Sequence, residues 1–100
     1  MIYILDIKEE ARQDILQAAG WYGDKSSDIN LKFIQQLELI VKSILNNPKT
    51  FKKVYKNFRQ AAVKKFPYVI MYEYIGNTII IFSVFHTSQN PDKKLKRLKK

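Results

Sequence analysis

The chain has 100 residues, about the size of one domain with a single core, and 46% of them are hydrophobic, as in folded proteins. It contains no cysteine, which excludes a disulfide framework and a thiolate metal site. No run of 18 apolar residues and no signal peptide is present, so neither a membrane span nor export is expected. We therefore expect one domain over residues 1–100, located in the cytoplasm.

The charge is unevenly distributed. The net charge is +9, but residues 1–48 carry five basic and seven acidic side chains, whereas residues 49–100 carry thirteen basic and two acidic ones. Uniform lysine richness would not produce this difference between the two halves. A strongly basic half attracts phosphates or an acidic protein partner.

The first half predicts a strand followed by two helices. Ile2–Ile7 is short, apolar and rich in β-branched residues, which favours a strand. Lys8–Tyr22 has apolar residues at helical spacing, with Gly23 as a plausible residue just past the helix end. After a polar connector at Asp24–Asp28, Ile29–Asn46 repeats apolar residues over a wide helical stripe and therefore predicts a second, core-facing helix.

The second half predicts a loop and three strands. Lys49–Asn57 has no clear period and is interpreted as a basic loop. Phe58–Lys65, Tyr68–Ile75 and Thr78–Phe85 are the expected strands, and the last is apolar on both faces. Gly76 and Asn77 form a two-residue hairpin loop of the primed type. The basic tail at residues 93–100 is expected to be mobile.

The resulting order is βααβββ. It predicts an α+β fold in which a helical hairpin packs on one face of a mostly antiparallel four-stranded sheet. No predicted element remains to cover the second face of the sheet, so a partner or substrate is expected there.

The candidate chemistry is restricted to a few basic residues. One histidine, no cysteine and scattered carboxylates do not predict a metal site, and three glycines are too few for a phosphate loop, so no metal or cofactor is expected. Metal-free cleavage of RNA needs a base, an acid and cations. His86, Arg59, Lys64 and Lys65 are the candidate catalytic residues for that reaction. Candidate contacts to nucleic acid or to an acidic partner are the basic residues Lys52, Lys53, Lys56, Lys93, Lys94 and Arg97.

Several of these segments occur together in a known family. Arg59 enters a strand, Lys65-Phe66-Pro67-Tyr68 precedes the next, and Phe85-His86-Thr87 ends the last before Pro91. The matching positions upstream are Ala11, Asp14, Ile15, Ala18, Trp21, Tyr22, Phe33, Leu37, Asn47 and Pro48. In this order, over nearly the whole chain, they resemble the RelE/ParE toxin superfamily of bacterial type II toxin–antitoxin systems. The Phe66-Pro67-Tyr68 run and the ending of the last strand are more similar to the ParE-type branch.

The resemblance implies a small basic toxin of a plasmid-stabilisation module, neutralised by a co-encoded antitoxin. The ParE branch inhibits DNA gyrase and needs no catalytic set, whereas the RelE branch cleaves messenger RNA on the ribosome with sheet lysines and arginines and a tyrosine near the C-terminus. Here the last strand offers no arginine, and no tyrosine follows Tyr74. Gyrase inhibition is therefore the preferred hypothesis. A ribosome-dependent endoribonuclease using His86 and a degenerate, non-toxic family member are the alternatives, so enzyme activity stays open.

Overall fold

The computed structural model describes residues 3–88. Within that range the elements in chain order are β1 (Ile4–Ile7), α1 (Glu9–Lys25), α2 (Ser27–Asn46), β2 (Lys53–Tyr55), β3 (Phe58–Ala62), β4 (Tyr68–Ile75) and β5 (Thr78–His86). The predicted start of the first strand at Ile2 and the basic tail lie outside the described residues.

The strands form one sheet in the order β1-β5-β4-β3-β2. β1 runs parallel to β5, and the other neighbouring pairs are antiparallel. α1 and α2 pack against each other, and α1 packs on β5. The predicted α+β fold, a helical hairpin on a mostly antiparallel sheet, is confirmed.

The predicted strand count was one too low, because part of the segment interpreted as a loop forms an edge strand. Lys53 pairs with Arg59, and Tyr55 pairs with Phe58 across an irregular register. The backbone N–H of Gln60 donates to the carbonyl of Lys52 over 3.1 Å. These long-range hydrogen bonds stabilise a segment whose own sequence has no strand period.

The helix boundaries also differ from the prediction. α1 continues through Gly23 to Lys25, and Ser26 alone separates it from α2. The Ser26 side chain caps α2 by accepting a hydrogen bond from the backbone N–H of Asp28 over 3.2 Å. A β-carbon added at Gly23 would lie 3.5 Å from the side-chain amide of Asn30, so this glycine sits where the two helices approach closely.

The main core lies between the helices and the sheet. It is made of α1, α2 and the helix-facing side chains of β3, β4 and β5, including Leu37, Ile70, Tyr72, Ile79 and Ile81. An adjoining aromatic cluster joins Tyr22 and Phe33 to Phe66 and Tyr68, with ring centroids 5.1–6.2 Å apart. Burial of these large side chains supplies most of the stabilisation of the fold.

The second face of the sheet carries a cluster of buried side chains at its centre. Phe58, Val69, Met71 and Phe85 form a second cluster in which each side chain is buried. Partly buried Tyr55 and Phe82 pack against it. The rings of Tyr55 and Phe58 are stacked, and Phe82 contacts Phe58 edge-on. Aromatic side chains of the sheet itself therefore contribute to the packing on this face.

Two polar side chains of the sheet hold the connection between α2 and β2. The Tyr72 hydroxyl, fully buried, donates to the Pro48 carbonyl over 2.7 Å. The Arg59 guanidinium donates through one nitrogen to the carbonyls of Lys49 and Phe51, over 3.1 and 2.6 Å. We call these three hydrogen bonds the loop clamp. They explain why the turn after α2 holds a fixed position beside the sheet.

Burial raises the pKa of Tyr72 to about 12, although the nearby Arg59 lowers it in part. Because folding favours the neutral phenol, its contribution to stability is fully present below pH 10.0, the ordinary tyrosine value, and is lost as the pH rises towards about 12.

We expect Tyr72→Phe to reduce the free energy of unfolding by about 1–3 kcal/mol at neutral pH, because the Pro48 carbonyl loses its donor. The variant should also lose less of its remaining stability above pH 10.0 than the wild type does.

Urea unfolding followed by circular dichroism across this pH range measures both effects. Tyr55→Phe is the matched control, since Tyr55 is partly exposed and stacks on Phe58 without taking part in the loop clamp. Equal stabilities of Tyr72→Phe and Tyr55→Phe at neutral pH would contradict the role assigned to the buried hydroxyl.

Candidate functional site

The α1 cleft is an open cavity of about 590 Å³ between α1 and the sheet end where β4 begins and β5 ends. Its lining includes the polar or aromatic side chains of Asp14, Gln17, Trp21, Tyr68, His86 and Ser88. Three of them come from α1, at positions 14, 17 and 21, which share one face of the helix. Helix geometry and strand pairing thus bring side chains together that are up to 74 residues apart in the chain.

A β-bulge determines which face of the sheet carries His86. Met71 pairs with Ser83 and Tyr72 pairs with Ile81, so Phe82 is an extra residue in β5. Strand side chains alternate between faces, and one inserted residue reverses the alternation beyond it. His86 therefore lies opposite Tyr68 on the helix-facing side and reaches the α1 cleft.

The His86 ring is held by its surroundings. It contacts Tyr68 edge-on, with centroids 5.2 Å apart. Its Nδ1 lies 3.1 Å from the backbone nitrogen of Ser88 and 2.7 Å from the Ser88 hydroxyl. A backbone N–H can only donate, so Nδ1 is the acceptor in this geometry, and the proton of the neutral ring is on Nε2.

Tyr68 forms part of the wall between His86 and α1. Burial raises its pKa, and the neighbouring Tyr22 raises it further. Burial likewise raises the pKa of Tyr22. Both phenols are therefore neutral at physiological pH, and they act here as aromatic surface and hydrogen-bonding groups.

The candidate catalytic residues do not all come together. Arg59 pairs with Tyr72, whereas His86 pairs with Tyr68, four residues along β4. With about 3.3 Å per residue, the separation along the strand alone is about 13 Å. Arg59 donates to loop carbonyls and lies over the Tyr74 ring at 5.5 Å, whereas His86 lies in the α1 cleft.

Lys64 and Lys65 lie at the same end of the sheet as His86. Both are exposed in the turn between β3 and β4, where Lys65 has a positive φ of 69°. The next residues of this turn lead to Pro67, whose carbonyl accepts a hydrogen bond from the backbone N–H of Thr87 over 2.8 Å. The turn thus brings two cations towards the end of β5. Neither lysine forms an ion pair with a residue in the range 3–88.

The remaining predicted basic contacts divide into two groups. Lys52, Lys53 and Lys56 are exposed on or beside the edge strand β2, and the Lys56 ammonium lies 5.4 Å from the centre of the Tyr55 ring. Lysines on a short edge strand also protect it from pairing with other chains. Lys93, Lys94 and Arg97 lie outside the described residues.

The sequence-based list of candidate residues missed the α1 side of the cleft. Asp14 accepts a hydrogen bond from the backbone N–H of Val84 over 3.0 Å and so joins α1 to β5. Gln17 and Trp21 are exposed, although they lie on the helix flank that reaches the sheet. Their spacing of four residues was the available signal, because it is the helical spacing that places two side chains on one flank.

The described residues offer neither a cluster of metal ligands nor a membrane-spanning helix. Among residues 3–88, no group of three or more histidine, cysteine, aspartate or glutamate side chains is placed to hold a metal ion. No helix in the described part of the chain is both long and apolar enough to cross a membrane.

Comparison with known proteins identifies the family. The family described as ParE toxin of type II toxin-antitoxin system, parDE, matches residues 5–91. Toxin ParE2 of Mycobacterium tuberculosis, strain CDC 1551 / Oshkosh, is 25% identical over 89 residues, which cover 88% of this chain and 85% of the relative. Toxin ParE2 of strain ATCC 25618 / H37Rv matches to the same extent.

Solved structures agree on the fold. A chromosomal ParDE toxin–antitoxin system from P. aeruginosa matches with a TM-score of 0.74 and 16% identity, covering 85% of this chain and 96% of the other. A mutant of the E. coli toxin RelE in the free state matches with a TM-score of 0.70 and 16% identity, covering 99% and 97%. The architecture is therefore that of the RelE/ParE toxin superfamily, as predicted. Within it, the chain belongs to the ParE toxin family of type II toxin–antitoxin systems, and this membership implies an antitoxin partner.

Proposed function

We propose that this protein arrests bacterial growth by inhibiting DNA gyrase when it is free of its antitoxin. Membership of the ParE family supports this proposal. The observation that carries it is the separation of Arg59 from His86, two of the four candidate catalytic residues. Arg59 takes part in the loop clamp, and His86 lies about 13 Å or more away along the strand direction. Inhibition by binding requires a complementary surface rather than an acid, a base and cations at one point.

The orientation of the His86 ring supports the same conclusion. A general base needs an unprotonated nitrogen within reach of the proton that it removes. Nδ1 of His86 accepts from Ser88, and Nε2 of the neutral ring carries the proton. In this geometry the unprotonated nitrogen is occupied by Ser88, so the ring is not placed to act as a general base.

The antitoxin surface is proposed to include an apolar groove of about 370 Å³ between β1 and α2. Its lining is almost wholly aliphatic and includes Leu5, Ile7, Leu37, Val41 and Ile81. Leu5 is 37% exposed on an edge strand, and its neighbour Ile4 is 55% exposed. An antitoxin segment with apolar anchors would cover these side chains, and acidic residues elsewhere in the antitoxin would complement the basic half of the chain.

The target is tested by a gyrase supercoiling assay on the purified protein and by induction in a bacterial host. We expect loss of gyrase supercoiling activity in vitro, and growth arrest with DNA-damage signalling and intact transcripts in cells. Cleaved messages with unaffected supercoiling would contradict the proposal. Unimpaired growth together with an active, uninhibited gyrase would identify a non-toxic family member.

A ribosome-dependent endoribonuclease is the second candidate, because the fold matches that of RelE over 99% of the chain and His86 lies at the same sheet end as Lys64 and Lys65. His86→Ala separates the two functions. Under the proposed function the variant still arrests growth and inhibits gyrase, whereas restored growth with intact transcripts would support the nuclease. The melting temperature of the variant serves as the control for folding.

The antitoxin surface is tested with a matched pair of leucine substitutions. We expect Leu5→Glu to weaken antitoxin binding on the order of tenfold, because it places a charge at the groove. Leu39→Glu is the control, since Leu39 is 55% exposed on α2 and does not line the groove. Calorimetric titration at low and high salt measures both variants, and wild-type affinity should fall as salt rises. Equal affinities of the two variants, or tighter wild-type binding at high salt, would refute the proposed surface.

A further inference from the structure

The α1 cleft has the size and lining of a small-molecule site. Its volume of about 590 Å³ lies within the range of pockets that hold small ligands and cofactors. Aromatic side chains from α1 and β4 form its walls, and Gln17, Asp14 and His86 add hydrogen-bonding groups. This combination fits a ligand that is planar and polar at its edge.

Trp21 is the feature of the cleft that core packing does not explain. It is 56% exposed, whereas its neighbour Tyr22 is 8% exposed and belongs to the aromatic cluster. Its ring contacts Tyr22 edge-on at 4.9 Å, and the Lys25 ammonium lies 5.1 Å from its centre. The indole is thus held by Tyr22 and Lys25, and the part of its surface that stays exposed can stack on a planar ligand. Indole faces of this kind bind planar bases, and the stacking tolerates any base.

The hydrogen-bonding groups of the cleft suit the edge of a nucleobase. Gln17 lies one helical turn before Trp21, and both side chains line the cleft. A glutamine amide both donates and accepts, which allows it to pair with the edge of an adenine. The His86 ring lines the same cavity.

Basic side chains lie near the cleft rather than in its lining, where Asp14 is the charged residue among those described. Lys25 lies over the Trp21 ring, and the turn that supplies Pro67 to the cleft also carries exposed Lys64 and Lys65. These three cations are close enough to the mouth of the cleft to attract the phosphate of a bound ligand. A neutral aromatic compound would gain no charge attraction from these cations, and inorganic phosphate could not stack on the indole.

We propose that the α1 cleft binds a nucleotide, with its base stacked on Trp21 and its phosphate near Lys25, Lys64 and Lys65. A free nucleotide and a nucleotide within a single strand of nucleic acid both carry a base and a phosphate, so either could occupy the cleft. The proposal does not depend on gyrase as the target of the toxin, because the cleft and its lining are properties of this chain alone.

The experiment uses the fluorescence of Trp21, which is the only tryptophan in the chain. The full-length protein is titrated separately with AMP, with UMP, with adenosine, with inorganic phosphate and with a single-stranded hexamer of deoxyadenosine. We expect saturable quenching by AMP at millimolar concentration or below, and weaker binding of adenosine, which lacks the phosphate. Quenching by the hexamer alone would assign the site to a strand of nucleic acid. No saturable change with either AMP or the hexamer would overturn the proposal.

Two double lysine variants, compared by the same titration, test the contacts assigned to the phosphate, and one tryptophan variant tests the contact assigned to the base. Lys64→Glu with Lys65→Glu should weaken AMP binding by about tenfold, whereas the same charge change at Lys52 and Lys53 on the far edge should not. Trp21→Leu, measured by calorimetry, should weaken it by about tenfold or more through loss of stacking. Equal affinities of both lysine pairs, or unchanged binding by Trp21→Leu, would place the ligand elsewhere. Melting temperatures confirm that each variant is folded.

Discussion

The register of β4 against β5 is the constraint on which both faces of this sheet depend. These strands pair over their full length, from Ile75 opposite Thr78 to Tyr68 opposite His86, with Phe82 as the one extra residue. Because the bulge reverses the alternation of β5, Ile79, Ile81 and Val84 all join the main core, while Phe82 and Phe85 join the cluster on the second face. A β5 without the bulge would turn Phe85 towards the helices and His86 away from them.

The bulge connects the packing of the sheet to the α1 cleft through His86. On the helix-facing side the ring lies beside Tyr68 and lines the α1 cleft, away from the buried second face. Arg59 takes part in the loop clamp instead. It donates to the carbonyls of Lys49 and Phe51, which the turn after α2 leaves close to the sheet and in need of donors. Two of the four candidate catalytic residues, Arg59 and His86, therefore have separate surroundings. A toxin that acts through its surface accommodates this arrangement, whereas a nuclease would need the groups at one point.

The main elements could be predicted because their signals are local. β4 has the predicted bounds, and the hairpin at Gly76, with a φ of 59°, follows from the turn residues alone. Three features depended on distant partners and could not be predicted. β2 forms because β3 offers hydrogen bonds, α1 continues through Gly23 until Ser26 begins the cap of α2, and the bulge at Phe82 leaves no composition signal in a strand that is apolar on both faces. The α1 cleft depends on the bulge and on the packing of α1 against the sheet, so sequence reasoning found His86 but not Gln17 or Trp21.

The orientation of His86 is the central claim, and it can be measured directly. The chain has a single histidine, so its ring protons are unambiguous in a two-dimensional nuclear Overhauser spectrum of the folded protein. We predict cross-peaks from the His86 ring to the ring of Tyr68, whose centroid lies 5.2 Å away, and none to the methyl group of Met71. Cross-peaks to Met71, with none to Tyr68, would show that His86 faces the second side of the sheet and would contradict the account.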